Sequence, residues 1–186
     1  MEYNTLKCII NAFNVTSKDD TKYHICHVLL TAAGENVTIV ATDGRCLSDV
    51  VVQDTDLAAL ILDKKYLVHA DSLDSLKSLA KQFKNSFVKS ELDGETIVLK
   101  GTAFNVKIET TESLNVEFPD YKAVYPKYDS EPLQFSFNAQ YLFALAKALS
   151  DGPKDQTITF RVKDKLSPIK ITMQDGKVGL LMPVRI

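Results

Sequence analysis

Three amphipathic stretches, opened by Asn4, Asp71 and Asn138 and each followed by short alternating strands, recur 67 and 67 residues apart. A repeat of this period is one supersecondary unit written three times, because a unit this small cannot bury its own apolar face and must pack against a neighbour. The first stretch sets Leu6, Ile9, Ile10 and Phe13 against Lys7, Asn11 and Asn14 on the opposite side, with Asn4 as its N-cap. Strands are expected over 23–30, 37–41 and 47–52, joined at Gly34-Glu35-Asn36, and 53–60 reads as a loose connection.

The second module reads as a strand over 66–69, a helix over 71–83 with Leu73, Leu76, Leu79, Ala80 and Phe83 as its buried stripe, and strands over 87–91, 96–100 and 104–109 with Asp93-Gly94 as a hairpin turn. The third repeats that order: a strand over 133–137, a helix over 138–149, the breaker Asp151-Gly152-Pro153, then strands. In these Ile158, Phe160 and Val162, and Ile169, Ile171 and Met173, alternate, and Asp175-Gly176 turns the last hairpin. The connector over 118–126 holds two prolines and reads as extended, so the boundary falls there. The expectation is an α+β fold of three βαβββ modules with helices along one side and antiparallel sheets along the other. Residues 1–126 form a complete two-module domain (1–60 and 61–126), and 127–186 form half of one.

Composition narrows the function classes. Of the 186 residues 45% are hydrophobic and 25% charged, the balance of an ordinary globular protein. No apolar run approaches the roughly 18 residues of a membrane helix, and the start lacks the basic, small-residue pattern of a signal peptide. Cys8, Cys26 and Cys46 are an odd set with no CxxC pair, which argues for reduced thiols and a cytoplasmic home. A net charge of −2 excludes a uniformly basic surface but not a basic face.

Such a face is expected opposite the apolar stripe of the second helix, where Lys77, Lys81 and Lys84 follow at i, i+4 and i+7. Three ammonium groups on one face either meet phosphate oxygens, without reading sequence, or form a solvated face with Asp74 beside Lys77. Lys7 and Lys147 are their counterparts on the other helices. His24, Cys26 and His27 are the one cluster of soft-metal ligands, but in a strand 24 and 26 share a face and 27 points away, so no metal site is expected. Cys46 beside Arg45 reads as a small structural residue rather than a low-pKa thiol. No Gly-rich phosphate loop and no nucleophile, base and orienter set is present, so neither catalysis nor a cofactor is expected.

Three segments together resemble a known family: Ala41-Thr42-Asp43-Gly44 followed by Leu47, the connector Phe118-Pro119-Asp120-Tyr121 ending in Pro126, and the end Leu181-Met182-Pro183-Val184-Arg185-Ile186. Their order within the repeat resembles the bacterial sliding clamp, the β subunit of DNA polymerase III. Residues 1–126 are similar to its middle domain and 127–186 to the second half of its last. Cys46 stands where the family usually has Arg, and Ala123 where Arg is common.

The resemblance implies a non-catalytic ring around double-stranded DNA, helices lining the hole and Lys7, Lys77, Lys81, Lys84 and Lys147 toward the phosphates, that tethers a polymerase as its processivity factor. It implies an apolar pocket for a short peptide from the polymerase or clamp loader, at Ile25, Thr42, Gly44, Arg45, Leu47, Pro119, Val124, Asn138, Tyr141, Leu166, Pro168, Leu181, Met182, Pro183, Val184 and Arg185. The familiar ring holds twelve modules, so four chains of three are expected to close it as a head-to-tail homotetramer, cytoplasmic and nucleoid-associated during replication. The alternative is a clamp-like interaction protein or decoy that binds clamp-binding peptides or a host clamp without encircling DNA.

Overall fold

In the computed structural model, which describes residues 1–62, 64–84, 86–129, 134–150 and 157–184, the chain divides into units of Met1–Tyr125 and Pro126–Ile186. The first unit opens with α1 (Tyr3–Ala12), which buries Leu6, Ile9 and Ala12. Its cap position is Glu2, so Asn4 lies inside the first turn rather than capping it. The Glu2 N–H donates instead to Asp54 Oδ2 at 2.7 Å.

The strand expected over 23–30 starts later than its alternation suggests. Asp19 Oδ1 accepts from the Thr21 N–H and hydroxyl (3.1 and 2.6 Å), and this local turn opens two short 3-10 turns within Asp20–Ile25 that meet at a non-helical Lys22. The strands are β1 (His27–Ala33), β2 (Asn36–Thr42) and β3 (Leu47–Gln53). The connection read as loose holds α2 (Thr55–Leu60), capped by the buried Asp54, whose Oδ1 accepts from the Leu57 N–H at 3.0 Å.

In the second module β4 (Tyr66–His69) passes through a 3-10 turn at Ala70–Ser72 into α3 (Leu73–Gln82), and β5 (Ser90–Asp93), β6 (Thr96–Lys100), β7 (Asn105–Thr110) and the short α4 (Thr111–Leu114) follow. The 3-10 turn that leads into α3 is capped by His69, whose Nδ1 accepts from the Asp71 N–H at 3.2 Å, so Asp71 lies inside the turn, and Ser72 holds the cap position of α3 itself. With Asn138 capping the third helix, the caps Glu2, His69 and Asn138 stand 67 and 69 residues apart.

One seven-stranded sheet, ordered β3-β2-β1-β4-β7-β6-β5, joins the two modules. β4 enters the other module's ladder, pairing antiparallel with β1 (His27 opposite His69, Leu29 opposite Leu67) as well as with its own β7. The exchange is reciprocal. Met1 bonds Val88, just ahead of β5, in both directions (Met1 N to Val88 O 3.1 Å, Val88 N to Met1 O 2.9 Å). Each module's leading residues thus cross to the first strand after the other module's helix, the relation of a two-fold pair rather than of a head-to-tail stack.

On one face of the sheet Leu6 and Ile9 of α1, Phe13 just after it, and Leu76 and Leu79 of α3 bury Val28, Leu30, Ile39, Ile97 and Leu99. On the other, the alternate residues Leu29, Val40 and Leu67 are covered by Val116 and by Phe118 at the start of the connector, with Leu47, Leu114 and Tyr121 around them. Connector and helices therefore lie on opposite faces.

The second unit is one module: α5 (Ala139–Leu149) over β8 (Ile158–Arg161), β9 (Ile169–Met173) and β10 (Val178–Leu181), ordered β10-β9-β8. Asn138, read as the first residue of this helix, is its cap, with Oδ1 accepting from the Gln140 N–H at 2.8 Å. Of the strand expected over 133–137, the structure describes a bridge between Ser136 and Val184, closed by the Val184 N–H to Ser136 O at 2.7 Å. The breaker Asp151-Gly152-Pro153 lies outside the described residues. No helix among the described residues is long and apolar enough to cross a membrane.

Candidate functional site

Where β2 ends, residues 42–46 fold into a turn built from their own side chains. Thr42 Oγ1 accepts from the Gly44 N–H (3.0 Å) and donates to Cys46 O (2.7 Å), while Asp43 Oδ1 accepts from the N–H groups of Arg45 and Cys46 (2.8 and 2.9 Å). These backbone donors hold the Asp43 carboxyl below its ordinary value. Gly44 sits at φ 84°, a conformation glycine adopts without a Cβ clash.

Opposite this turn the connector is fixed at both ends. Phe118 is buried, Asp120 Oδ1 accepts from the Lys122 N–H (3.2 Å) to start the 3-10 turn Tyr121–Val124, and the Tyr125 hydroxyl donates to Asp49 Oδ2 on β3 (2.7 Å).

Between turn and connector lies a cavity of about 350 Å³ lined by His24, Ile25, Thr42, Gly44, Arg45, Cys46, Leu47, Pro119, Asp120, Tyr121 and Val124. It lies on the connector side of the sheet, away from α1 and α3, since Leu47 and Tyr121 belong to the cluster on that face. All seven first-unit residues assigned to a peptide pocket from sequence, Ile25, Thr42, Gly44, Arg45, Leu47, Pro119 and Val124, line this one cavity. Val124 is 69% exposed, an apolar group held at the mouth. An apolar slot of this size with few polar edges suits one or two bulky apolar anchors of a short peptide.

Set against known proteins, the chain is 27% identical over 167 residues to the β sliding clamp of Chlamydia trachomatis, across 88% of this chain and 37% of that protein. The DNA polymerase sliding clamp of Bacillus subtilis superposes with a TM-score of 0.73 at 17% identity, over 100% of this chain and 48% of that one. The chain is similar to the bacterial β sliding clamps and has their fold. The β chain of DNA polymerase III from Streptococcus pneumoniae matches at TM-score 0.67 and 16% identity, over 100% of this chain and 48% of that one. The chain thus spans between 37% and 48% of the length of these three clamps. No family model matches it.

In this clamp fold the residues that sequence reading missed at the cavity are His24, Cys46, Asp120 and Tyr121. Asp120 and Tyr121 stood inside the connector motif, and a 3-10 turn rather than an extended chain brings them to the cavity. Burial, with Asp43 adding to it, pushes the Cys46 thiol up rather than down, in keeping with a small structural residue. His24 falls in the 3-10 segment and Cys26 Sγ donates to Asp19 O (3.4 Å). No group of three or more His, Cys, Asp or Glu among the described residues is placed to hold a metal ion.

The second-unit residues differ among themselves. Tyr141, Leu166, Met182 and Val184 are exposed large apolar groups, with Leu166 presented by an Asp164 turn that accepts from the Leu166 and Ser167 N–H groups (2.9 and 2.7 Å). Pro168 is exposed and Pro183 half-buried. Leu181 is 3% exposed in that unit's core beside Ile169 and Ile171, so it supports the surface rather than forming it. Asn138 is engaged as the α5 cap. Arg185 lies outside the described residues.

Of the lysines, Lys77 and Lys81 project from α3, but the helix ends at Gln82, so Lys84 sits beyond it rather than on its face. The Lys77 ammonium is 3.6 Å from Asp74 Oδ1, and Lys7 Nζ on α1 lies 5.8 Å from the Tyr3 ring centre. Lys7, Lys77, Lys81 and Lys147 fall 5, 8, 12 and 9 residues after their caps, so they share the outward side of their helices but not one repeated position.

Proposed function

We propose that the protein is a DNA polymerase processivity factor, a sliding clamp that encircles double-stranded DNA and tethers a polymerase, and a clamp loader through the same surface, by a short peptide seated in the 350 Å³ cavity of the first unit. The observation that carries this is the convergence of three sequence-distant segments, 24–25, 42–47 and 119–124, on that cavity, on the face of the sheet opposite the lysine-bearing helices. Such a division lets one face follow phosphates while the other holds a partner. Contacts from Lys7, Lys77, Lys81, Lys84 and Lys147 neutralise phosphate charge without reading bases, as a sliding protein requires. The protein does no chemistry of its own and works as a homo-oligomer, four chains supplying twelve modules, in the cytoplasm and on the nucleoid during replication.

The test is the triple variant Lys77→Glu, Lys81→Glu, Lys84→Glu, assayed for stimulation of a replicative polymerase on primed circular DNA and for binding of a fluorescent peptide with leucine and phenylalanine anchors. Loss of stimulation with unchanged peptide affinity is expected. Unchanged stimulation overturns the DNA role and leaves a protein that captures clamp-binding peptides.

A further inference from the structure

The third module carries the surfaces through which the first two modules hold each other, and among the described residues they are uncovered. In the first unit, β1 is completed by the other module's β4, and in return Met1 bonds the backbone of Val88, just ahead of β5. The equivalent strand of the third module is β8, the edge of its sheet, and it is exposed from Thr159 to Arg161 where β1 is buried from His27 to Leu30. The leading residues around Ser136 pair through Val184 with the end of their own module, as β4 pairs with β7, and have no second ladder on their other side.

The helices repeat the contrast. Ten residues after the caps stand Ala12, Leu79 and Ala148; the first two are 3% and 0% exposed where α1 packs on α3, and Ala148 is exposed on α5. α5 has no buried residue. An unpaired strand edge beside an exposed apolar helix flank is a template for another chain.

We propose that the third module pairs with the third module of a second copy across a two-fold axis, β8 of each copy taking up residues 134–137 of the other and the two α5 helices packing at Ala148. The occupant is a second copy because the required surface is a module of this fold, and the exchange seen in the first unit is reciprocal, which makes the contact isologous rather than head-to-tail. This deepens the oligomer of the proposed function but does not rest on the DNA role, since it is read without DNA.

The experiment uses the 186-residue chain carrying Phe160→p-benzoylphenylalanine, which keeps a phenyl ring on β8, mixed as ¹⁴N and ¹⁵N protein, irradiated and digested for mass spectrometry. Cross-links from position 160 to residues 134–138 of a differently labelled copy are expected. Cross-links to residues 1–125 of another copy, or none between copies, overturn the proposal. Alongside it, Ala148→Arg, a change at an exposed site that leaves each chain folded by circular dichroism, is expected to weaken self-association roughly tenfold or more in sedimentation. Unchanged association of that variant also overturns it.

Discussion

At the scale of single residues, burial and backbone conformation give the sharpest expectations. His27 is fully buried on β1, its Nδ1 2.8 Å from Tyr23 O, its Nε2 without a partner and its ring edge-on to His69 at 4.7 Å. Burial pulls its pKa below the ordinary 6.5. The unfolded chain therefore binds a proton that the folded chain rejects, so this residue makes stability rise with pH through the window ending near 6.5 and adds no slope above it. Urea midpoints taken at about pH 7.5 and pH 5.5 are expected to fall less on acidification in His27→Gln than in the parent; equal falls contradict the assignment. At the cavity, Gly44→Ala forces a Cβ into φ 84° and is expected to cost about 1 kcal/mol in urea unfolding, with weaker peptide binding because the 42–46 turn must shift.

At the scale of elements, the connector separates packing from recognition. Phe118 is 7% exposed beneath the sheet face formed by Leu29, Val40 and Leu67, so Phe118→Ala is expected to destabilise the first unit by about 3 kcal/mol and to abolish peptide binding with it. Val124, 69% exposed at the cavity, gives the opposite pattern: Val124→Ala is expected to shift stability by under about 0.5 kcal/mol yet weaken the peptide several-fold. Urea unfolding and fluorescence anisotropy on the same preparations check both. Sequence made the long periodic pieces legible: α3, α5 and the hairpins stand where a 3.6 or 2 period and an Asp-Gly turn put them. It misplaced what is decided by one local hydrogen bond, as at Asp19, where a side-chain turn overrides the alternation of 23–30, and at Asp54, where a cap turns a loose stretch into α2. Asp54-Thr55-Asp56 ahead of Leu57 and Ala58 was the available signal for that helix. His24, Asp120 and Tyr121 escaped notice at the cavity because 3-10 turns, which have no amphipathic period to read, bring them there.

At the scale of the whole molecule, the threefold repeat fixed the module count, but its consequence emerges only from the sheet. Each module of the first unit lends its leading residues to the other, an exchange involving Met1 and the four residues of β4, too short to stand out in a sequence. Within the third module helix and strand pack closely, since a Cβ on Gly179 of β10 would stand 2.8 Å from Leu145 Cδ1 of α5. Gly179→Ala is accordingly expected to destabilise the second unit by about 1–3 kcal/mol, read as a lowered thermal midpoint for that unit. The proposed function requires that assembled chains encircle DNA. Its most direct measurement is retention of labelled protein on nicked circular duplex, washed at high salt and then cut once with a restriction enzyme. Retention on the circle followed by release on cutting is the result this account predicts; equal retention on circular and linear DNA, or none on either, would contradict it.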